Sequence, residues 1–388
     1  MTQNYSQSRI ESLQALRWIA FLGIFFTHAV CPVNWATLSV SFFFVLSGYL
    51  CQRFPKSAAA EPSLKNNLLF SWRKIRRLYP LHIVTMLAAL LLNLLMFSAA
   101  GYNLRDLAGE FAKLLALNIT LLQSWIPSTR INTSLNGVAW YLSVMVFLYF
   151  MFPWISRGLG KIKRPLLPVL AAGVLALQLL LGLPAFYHPE WGGDRCIWLI
   201  YTFPVMRLGD FVVGMLLGQW QRERFRDNSD APAHEGPESF EERNVRKCSL
   251  NRPGRLLIEL AVFAVTFFAL RWLQTPNPDP FPCFLQSHPF FYVILSVLWI
   301  YLGTENAGPL MRALSNPLFV WLGNLSGEMF LIHFVVTSYI QFYCLRNGLN
   351  PAGWKLALVI AGELAITVAL SCLWQLLQKR IHKSLYRK

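Results

Sequence analysis

From Leu13 to Lys379 the chain returns again and again to apolar runs of about 20 residues, the length that carries an α-helix through about 30 Å of hydrocarbon. Inside a bilayer the backbone must pair its own N–H and C=O groups, so repeated runs of this length point to a bundle of helices. The runs centre near Leu22, Phe44, Leu90, Phe147, Leu175, Val212, Phe263, Leu298, Met329 and Val368. They predict an all-α, polytopic transmembrane bundle of about ten spanning helices. The composition agrees, with 55% hydrophobic and 14% charged residues and a mean hydropathy of +0.42. Soluble domains are about a quarter charged. No short apolar leader with a small-residue cleavage site precedes the first run, which is therefore expected to be retained.

Two runs are less uniform than the rest. The second is interrupted by Ser47 and Gly48, and the ninth contains Glu328 and His333. Between the third and fourth runs, Asn103 to Gln123 has apolar residues at roughly helical spacing with charges near one end. That segment reads as an amphipathic helix on the outer surface rather than a span.

The formal charge of +16 raises the question of nucleic acid, since basic proteins bind phosphate backbones. Placement of the charge answers it. With a cytoplasmic N-terminus, one membrane face receives Arg53, Lys65, Arg73, Lys74, Arg76 and Arg77, then Arg157 to Arg164, the cluster from Arg222 to Arg255, and a basic tail. The other face holds few cations, Arg105, Arg130 and Arg195 among them. This is the positive-inside pattern; it predicts cytoplasmic N- and C-termini in an inner (cytoplasmic) cell membrane, with lipids and not nucleic acid as the surrounding partner. Residues 221–255, polar and dense in mixed charge, read as a flexible cytoplasmic loop inside one integral domain spanning 10–377, and 378–388 as a basic cytoplasmic tail. Seven cysteines occur without CxxC or a zinc-like spacing, so no metal centre is expected. Cys31, Cys196 and Cys283 fall near the outer face, where one disulfide is open but inert thiols are the simpler reading.

The first run holds "RWIAFLGIFFTH", with Arg17 and His28 at its ends. Eleven residues at 100° apiece overshoot three full turns by only about 20°, so both side chains share one helix face, about 16 Å apart along the axis. Facing lipid, such groups cost several kcal/mol, so this face should line protein or water. An anchoring arginine beside an unrelated core histidine fits the spacing equally well.

Further motifs follow in order: "SFFFVLSGYL", "WRKIRRLYPLH", "AWYLSVMVFLYFMFP", "FPVMRLGDFVVGMLLG" and "WLGNLSGEMFLIHF". Together with Arg17 and His28 this set resembles the acyltransferase 3 family, integral membrane O-acyltransferases that modify extracytoplasmic glycans, from about Ile10 to Leu377. The resemblance places the family's Arg, ten residues, His signature on Arg17 and His28. It places the paired basic motif on Arg73 with Arg76, or on Lys74 with Arg77. Ser47 and Gly48 match the Ser-Gly motif, Arg207 with Phe211 and Gly214 the "R...F..G" pattern, and Ser326 with His333 the late "S....L.H" pattern. Two positions depart: Gln14 stands where relatives carry an acid three before the arginine, and Met145 where many carry glutamate.

The resemblance implies an acyl-CoA donor, acetyl-CoA by expectation, used as substrate with no permanently bound cofactor, and a glycan or lipid-linked saccharide acceptor. His28 would be general base or acyl carrier, with Arg17 beside it in the catalytic set. Arg73, Lys74, Arg76, Arg77 and Arg207 would hold CoA phosphates, which planar guanidinium forks recognise well. Ser47, Gly48, Glu328 and His333 would line the site. For Ser47-Gly48 close helix packing is the favoured role. Arg207 and Asp210, three apart, also read as a structural ion pair. His82 and Asn93 are expected to be satisfied within the bundle. A transporter or exporter of a glycan is the alternative, because buried charges in a ten-helix bundle also suit translocation.

Overall fold

A computed structural model describes residues 11–29, 35–54, 61–229, 252–274, 288–305 and 308–385. Cys31, Cys283, residue 10, residues 230–251 of the polar loop and the last three residues of the basic tail lie outside them. The described chain is 85% helical with no strand. Its longer helices are α1 (Glu11–His28), α2 (Ala36–Arg53), α3 (Leu64–Ile75), α4 (Tyr79–Ala99), α5 (Ala108–Ile119) and α6 (Trp140–Leu159). They continue with α7 (Leu167–Tyr187), α8 (Pro204–Ser229), α9 (Arg252–Gln274), α10 (Pro289–Glu305), α11 (Pro317–Arg346) and α12 (Trp354–Leu385).

Each of the ten predicted centres falls in one of these helices, but among the described residues only seven helices are long and apolar enough to cross a membrane. These are the segments Tyr79–Ala99, Trp140–Leu159, Arg164–Tyr187, Gly193–Arg224, Pro253–Leu273, Pro317–Arg346 and Trp354–Ile381. The remaining three centres lie in α1, α2 and the shorter α10. The reason is polar dilution: α1 carries Glu11, Gln14, Arg17 and His28, and α2 carries three serines and ends on Gln52 and Arg53. Both bury most of their length against neighbours, so their polar groups meet protein instead of lipid. Burial sorts the spans in the same way. The apolar window of α11 is 67% buried, whereas those of the spans at α7, α9 and α12 are 17% buried. The first pair of helices and α11 therefore form the centre, and α7, α9 and α12 the rim.

Glycines set how closely the central helices meet. A Cβ on Gly48 of α2 would collide with the carbonyl of Phe211 in α8, and one on Gly214 of α8 with the carbonyl of Val45 in α2. Gly218 faces the Tyr49 carbonyl one turn on. Across the other side of α1, Gly323 of α11 meets the Gln14 carbonyl in the same way. Backbones can approach this closely only where no side chain intervenes.

The third apolar run is not one continuous helix. Pro80 stands in the first turn of α4, and a chain turn at Arg76–Leu78 separates it from α3. Proline lacks an N–H to donate backward, so it starts α4 rather than continuing α3. The twelve-residue α3 docks on α6 through Asn67 Nδ2 to the Phe150 carbonyl (2.9 Å) and Ser71 Oγ to the Val146 carbonyl (2.8 Å). Leu64, Leu68, Leu69 and Trp72 remain exposed beside Lys65 and Arg73, the arrangement of a helix lying along a membrane surface. The helix expected within Asn103–Gln123 is α5, whose one buried residue is Asn118. His82 Nε2 lies 3.0 Å from the Asn118 carbonyl, and Asn93 Nδ2 donates to the Ala89 carbonyl at 2.8 Å. Cys196 is not in a disulfide; its thiol points to the Ala185 carbonyl.

Candidate active site

A cavity of about 240 Å³ opens where α1, α2, α6 and α11 meet the α3–α4 turn. Arg17 enters it from α1, Ser47 and Cys51 from α2, Lys74 from the end of α3, Tyr141 and Tyr149 from α6, and Ser326 from α11. Its walls are otherwise apolar, with Leu46, Leu142, Met145 and Phe330 among them. Two cations and several hydroxyls thus face a chamber whose lining contains no carboxylate. The two positions that depart from the family pattern both matter here. Gln14 supplies a neutral acceptor to Arg17, its Oε1 lying 3.3 Å from Nη1, and Met145 makes part of the wall.

The basic cluster divides by what each side chain meets. Lys74 lies over the rings of Phe70 and Tyr149, at 5.3 and 5.9 Å, and reaches the chamber. Arg77 pairs with Glu328 at 2.7 Å, joining a side chain that is 58% exposed to one that is 2% exposed. Arg73 and Arg76 are exposed and lie outside the chamber lining. The two spacings that the sequence leaves open therefore differ in contact: all four side chains are exposed, yet Lys74 lines the chamber and Arg77 reaches the buried Glu328, whereas Arg73 and Arg76 lie outside the lining.

Arg207 sits elsewhere. Wholly buried, it donates from Nε to the Tyr201 carbonyl (2.7 Å) and from Nη1 to Ser41 Oγ (3.1 Å) and Asp210 (3.0 Å). Its guanidinium also stacks 4.9 Å from the centre of the Tyr201 ring. Asp210 is held in turn by Gln178 Nε2 at 2.5 Å. Phe211 and Gly214, which complete the same motif, serve the α2–α8 contact, where Phe211 is buried and Gly214 meets α2. Gly48 is absorbed by that contact too, whereas Ser47, its Oγ bonded back to the Phe43 carbonyl at 2.7 Å, faces the chamber.

His28 ends α1, three turns from Arg17 along the same helix. Its ring lies 5.5 Å from that of His333 and 5.2 Å from Phe334, centre to centre. Between this histidine pair and the chamber stands Phe330, 5.1 Å from the Tyr141 ring and 6.1 Å from His333. Arg17 thus faces the chamber while His28, farther along α1, meets the buried His333, and Phe330 touches both the chamber residue Tyr141 and His333. Glu363, a further buried acid on α12, accepts from Thr337 Oγ1 at 3.1 Å, one turn beyond His333.

Two chamber residues, Tyr141 and Tyr149, carry no obvious mark in the sequence. They stand at i−4 and i+4 from Met145 on α6, so helical phase alone puts the three on one face; which face turns inward is set by packing. Glu259 is a buried acid of α9 that accepts from the backbone N–H groups of Leu310 and Met311, at 2.9 and 3.1 Å. It caps a short helix and takes no part in the chamber.

A family model described as an acyltransferase domain matches residues 10–374. Acyltransferase MdmB of Streptomyces mycarofaciens is 28% identical over 231 residues, covering 54% of this chain and 57% of the relative. A Staphylococcus aureus (strain COL) protein provisionally named an O-acetyltransferase is 24% identical over 352 residues, covering 86% of this chain and 52% of the relative. The chain thus spans between half and three fifths of each of these relatives. No solved structure matches it significantly.

Proposed function

The chain belongs to the acyltransferase 3 family, and from that premise we propose that it moves an acyl group, acetyl from acetyl-CoA, to a hydroxyl of an extracytoplasmic or lipid-linked glycan. It is a multi-pass membrane protein; the cell inner membrane, with both termini cytoplasmic, is the placement proposed here. The observation that carries the reading is the order of functional groups along α1. A cationic, hydroxyl-lined chamber at Arg17 adjoins a histidine pair at His28.

In this reading the donor arrives at the basic α3–α4 turn. Lys74 and Arg77 receive its phosphates, and Arg17 guides the thioester-bearing arm of the donor through the chamber toward His28. A sugar hydroxyl is a poor nucleophile near neutrality and needs a base in hydrogen-bond reach. His28 takes the hydroxyl proton as the oxygen attacks the thioester carbonyl. The C–O bond forms, the C–S bond breaks, and the proton passes from His28 to the departing sulfur. A two-step route, in which His28 first carries the acyl group and releases CoA before the hydroxyl attacks, uses the same residue.

The test is acyl release from radiolabelled acetyl-CoA in membranes containing wild type or His28→Ala, with bound and transferred label followed separately. Loss of transfer with donor binding retained is the expected result. Full transfer by the variant would remove His28 from the chemistry.

A further inference from the structure

His333 is completely buried on α11, boxed by the rings of Phe21 (5.5 Å), Phe25 (6.4 Å) and Phe330 (6.1 Å). Its Nδ1 lies 3.1 Å from the Met329 carbonyl. A carbonyl can only accept, so Nδ1 carries the hydrogen and Nε2 presents a lone pair. That Nε2 is buried with no hydrogen-bond partner. A buried polar atom without a partner is costly, on the order of 1–3 kcal/mol, and its presence asks for an explanation. One ring away is His28, 5.5 Å between centres with the planes tilted by 43°, a separation from which a turn of the exposed-side ring brings two nitrogens into hydrogen-bond range.

We infer that His333 is the positioning residue of the acyl transfer, its Nε2 accepting a hydrogen bond from one ring nitrogen of His28 and so directing the other, unprotonated nitrogen at the acceptor hydroxyl. The inference rests on the His28 reading above. Proton balance is simple. His28 keeps its N–H toward His333 throughout, takes the hydroxyl proton on the opposite nitrogen during attack, and gives it to the CoA sulfur as the thioester breaks. His333 neither gains nor loses a proton; it fixes a tautomer and an orientation, the task that a carboxylate performs in hydrolase triads. A neutral acceptor suits this place, because the surrounding aromatic box would penalise a lone carboxylate.

The experiment compares His333→Phe, His333→Gln and His28→Ala in membranes, with insertion checked by protease mapping and transfer from acetyl-CoA measured at saturating and limiting donor. Phenylalanine fills the aromatic box and removes the acceptor. Glutamine offers a carbonyl oxygen near the place of Nε2. Expected is a fall of about 100-fold or more in kcat for His333→Phe with KM for the donor unchanged, and recovery to within about tenfold of wild type for His333→Gln. Activity of His333→Phe within threefold of wild type overturns the inference, as does an equal loss in both inserted variants, which would show that an acceptor at the place of Nε2 is not what the activity needs. Wild-type transfer by His28→Ala would instead overturn the function proposed above, whatever the His333 variants do.

Discussion

At the scale of single residues, the chamber depends on where charge stands relative to helix phase. All four of Arg73, Lys74, Arg76 and Arg77 are exposed and occur within five consecutive positions, yet Lys74 lines the chamber and Arg77 reaches the buried Glu328. Substituting Lys74 by Gln is therefore expected to raise KM for the acyl donor about tenfold, whereas Arg73→Gln and Arg76→Gln together should change it less than threefold, because exposed cations that do not line the chamber contribute little. Steady-state kinetics on membranes at fixed salt checks this; equal effects would mean that the donor binds outside the chamber. Met145 offers a second test. Introducing Met145→Glu puts an acid into a lining that holds Arg17 and Lys74, and neutralising the cations should weaken donor binding several-fold, read as a rise in KM. The Arg17–His28 alignment was legible in the sequence because helix periodicity is fixed by the backbone. Nothing in the sequence marked Phe330 as a chamber wall that also packs on His333, since a phenylalanine in an apolar run is the commonest thing to find there.

Among elements, the contact of α2 with α8 explains two sequence motifs at once. Gly48 and Gly214 each sit against a carbonyl of the opposite helix, so either motif viewed alone has a packing role that needs no chemistry. Replacing Gly214 by Leu should force the helices apart and cost on the order of 1–3 kcal/mol or more, lowering the thermal midpoint in detergent by several degrees. An unchanged midpoint would show that this contact is looser than the backbone positions imply. The division of "WRKIRRLYPLH" into α3 and α4 had a local signal in Pro80, which favours a helix start. It lay within one long apolar and basic stretch, and hydropathy averaged over a spanning window does not resolve such a break.

For the whole molecule, the distribution of polar residues decides which helices are central. Helices α1 and α2 fall short of a spanning hydropathy because their polar groups are buried against protein, while the strongly apolar α7, α9 and α12 form the rim. The proposed topology predicts that reporters fused at either end of the chain report the cytoplasm; opposite sides for the two ends would exclude an even number of crossings. The sequence by itself determined that this chain is a helical bundle in a membrane and that it belongs with the acyltransferases, because helix length, apolar content and motif spacing are properties of the chain taken locally. The tertiary structure alone decided that Lys74 and not Arg73 reaches the chamber, that Arg207 is enclosed by Ser41, Tyr201 and Asp210, and that His28 meets His333. His28 and His333 lie in α1 and α11, about 300 residues apart in the chain. Their meeting depends on how α1 and α11 rotate as they pack at Gly323, which no local stretch of sequence encodes.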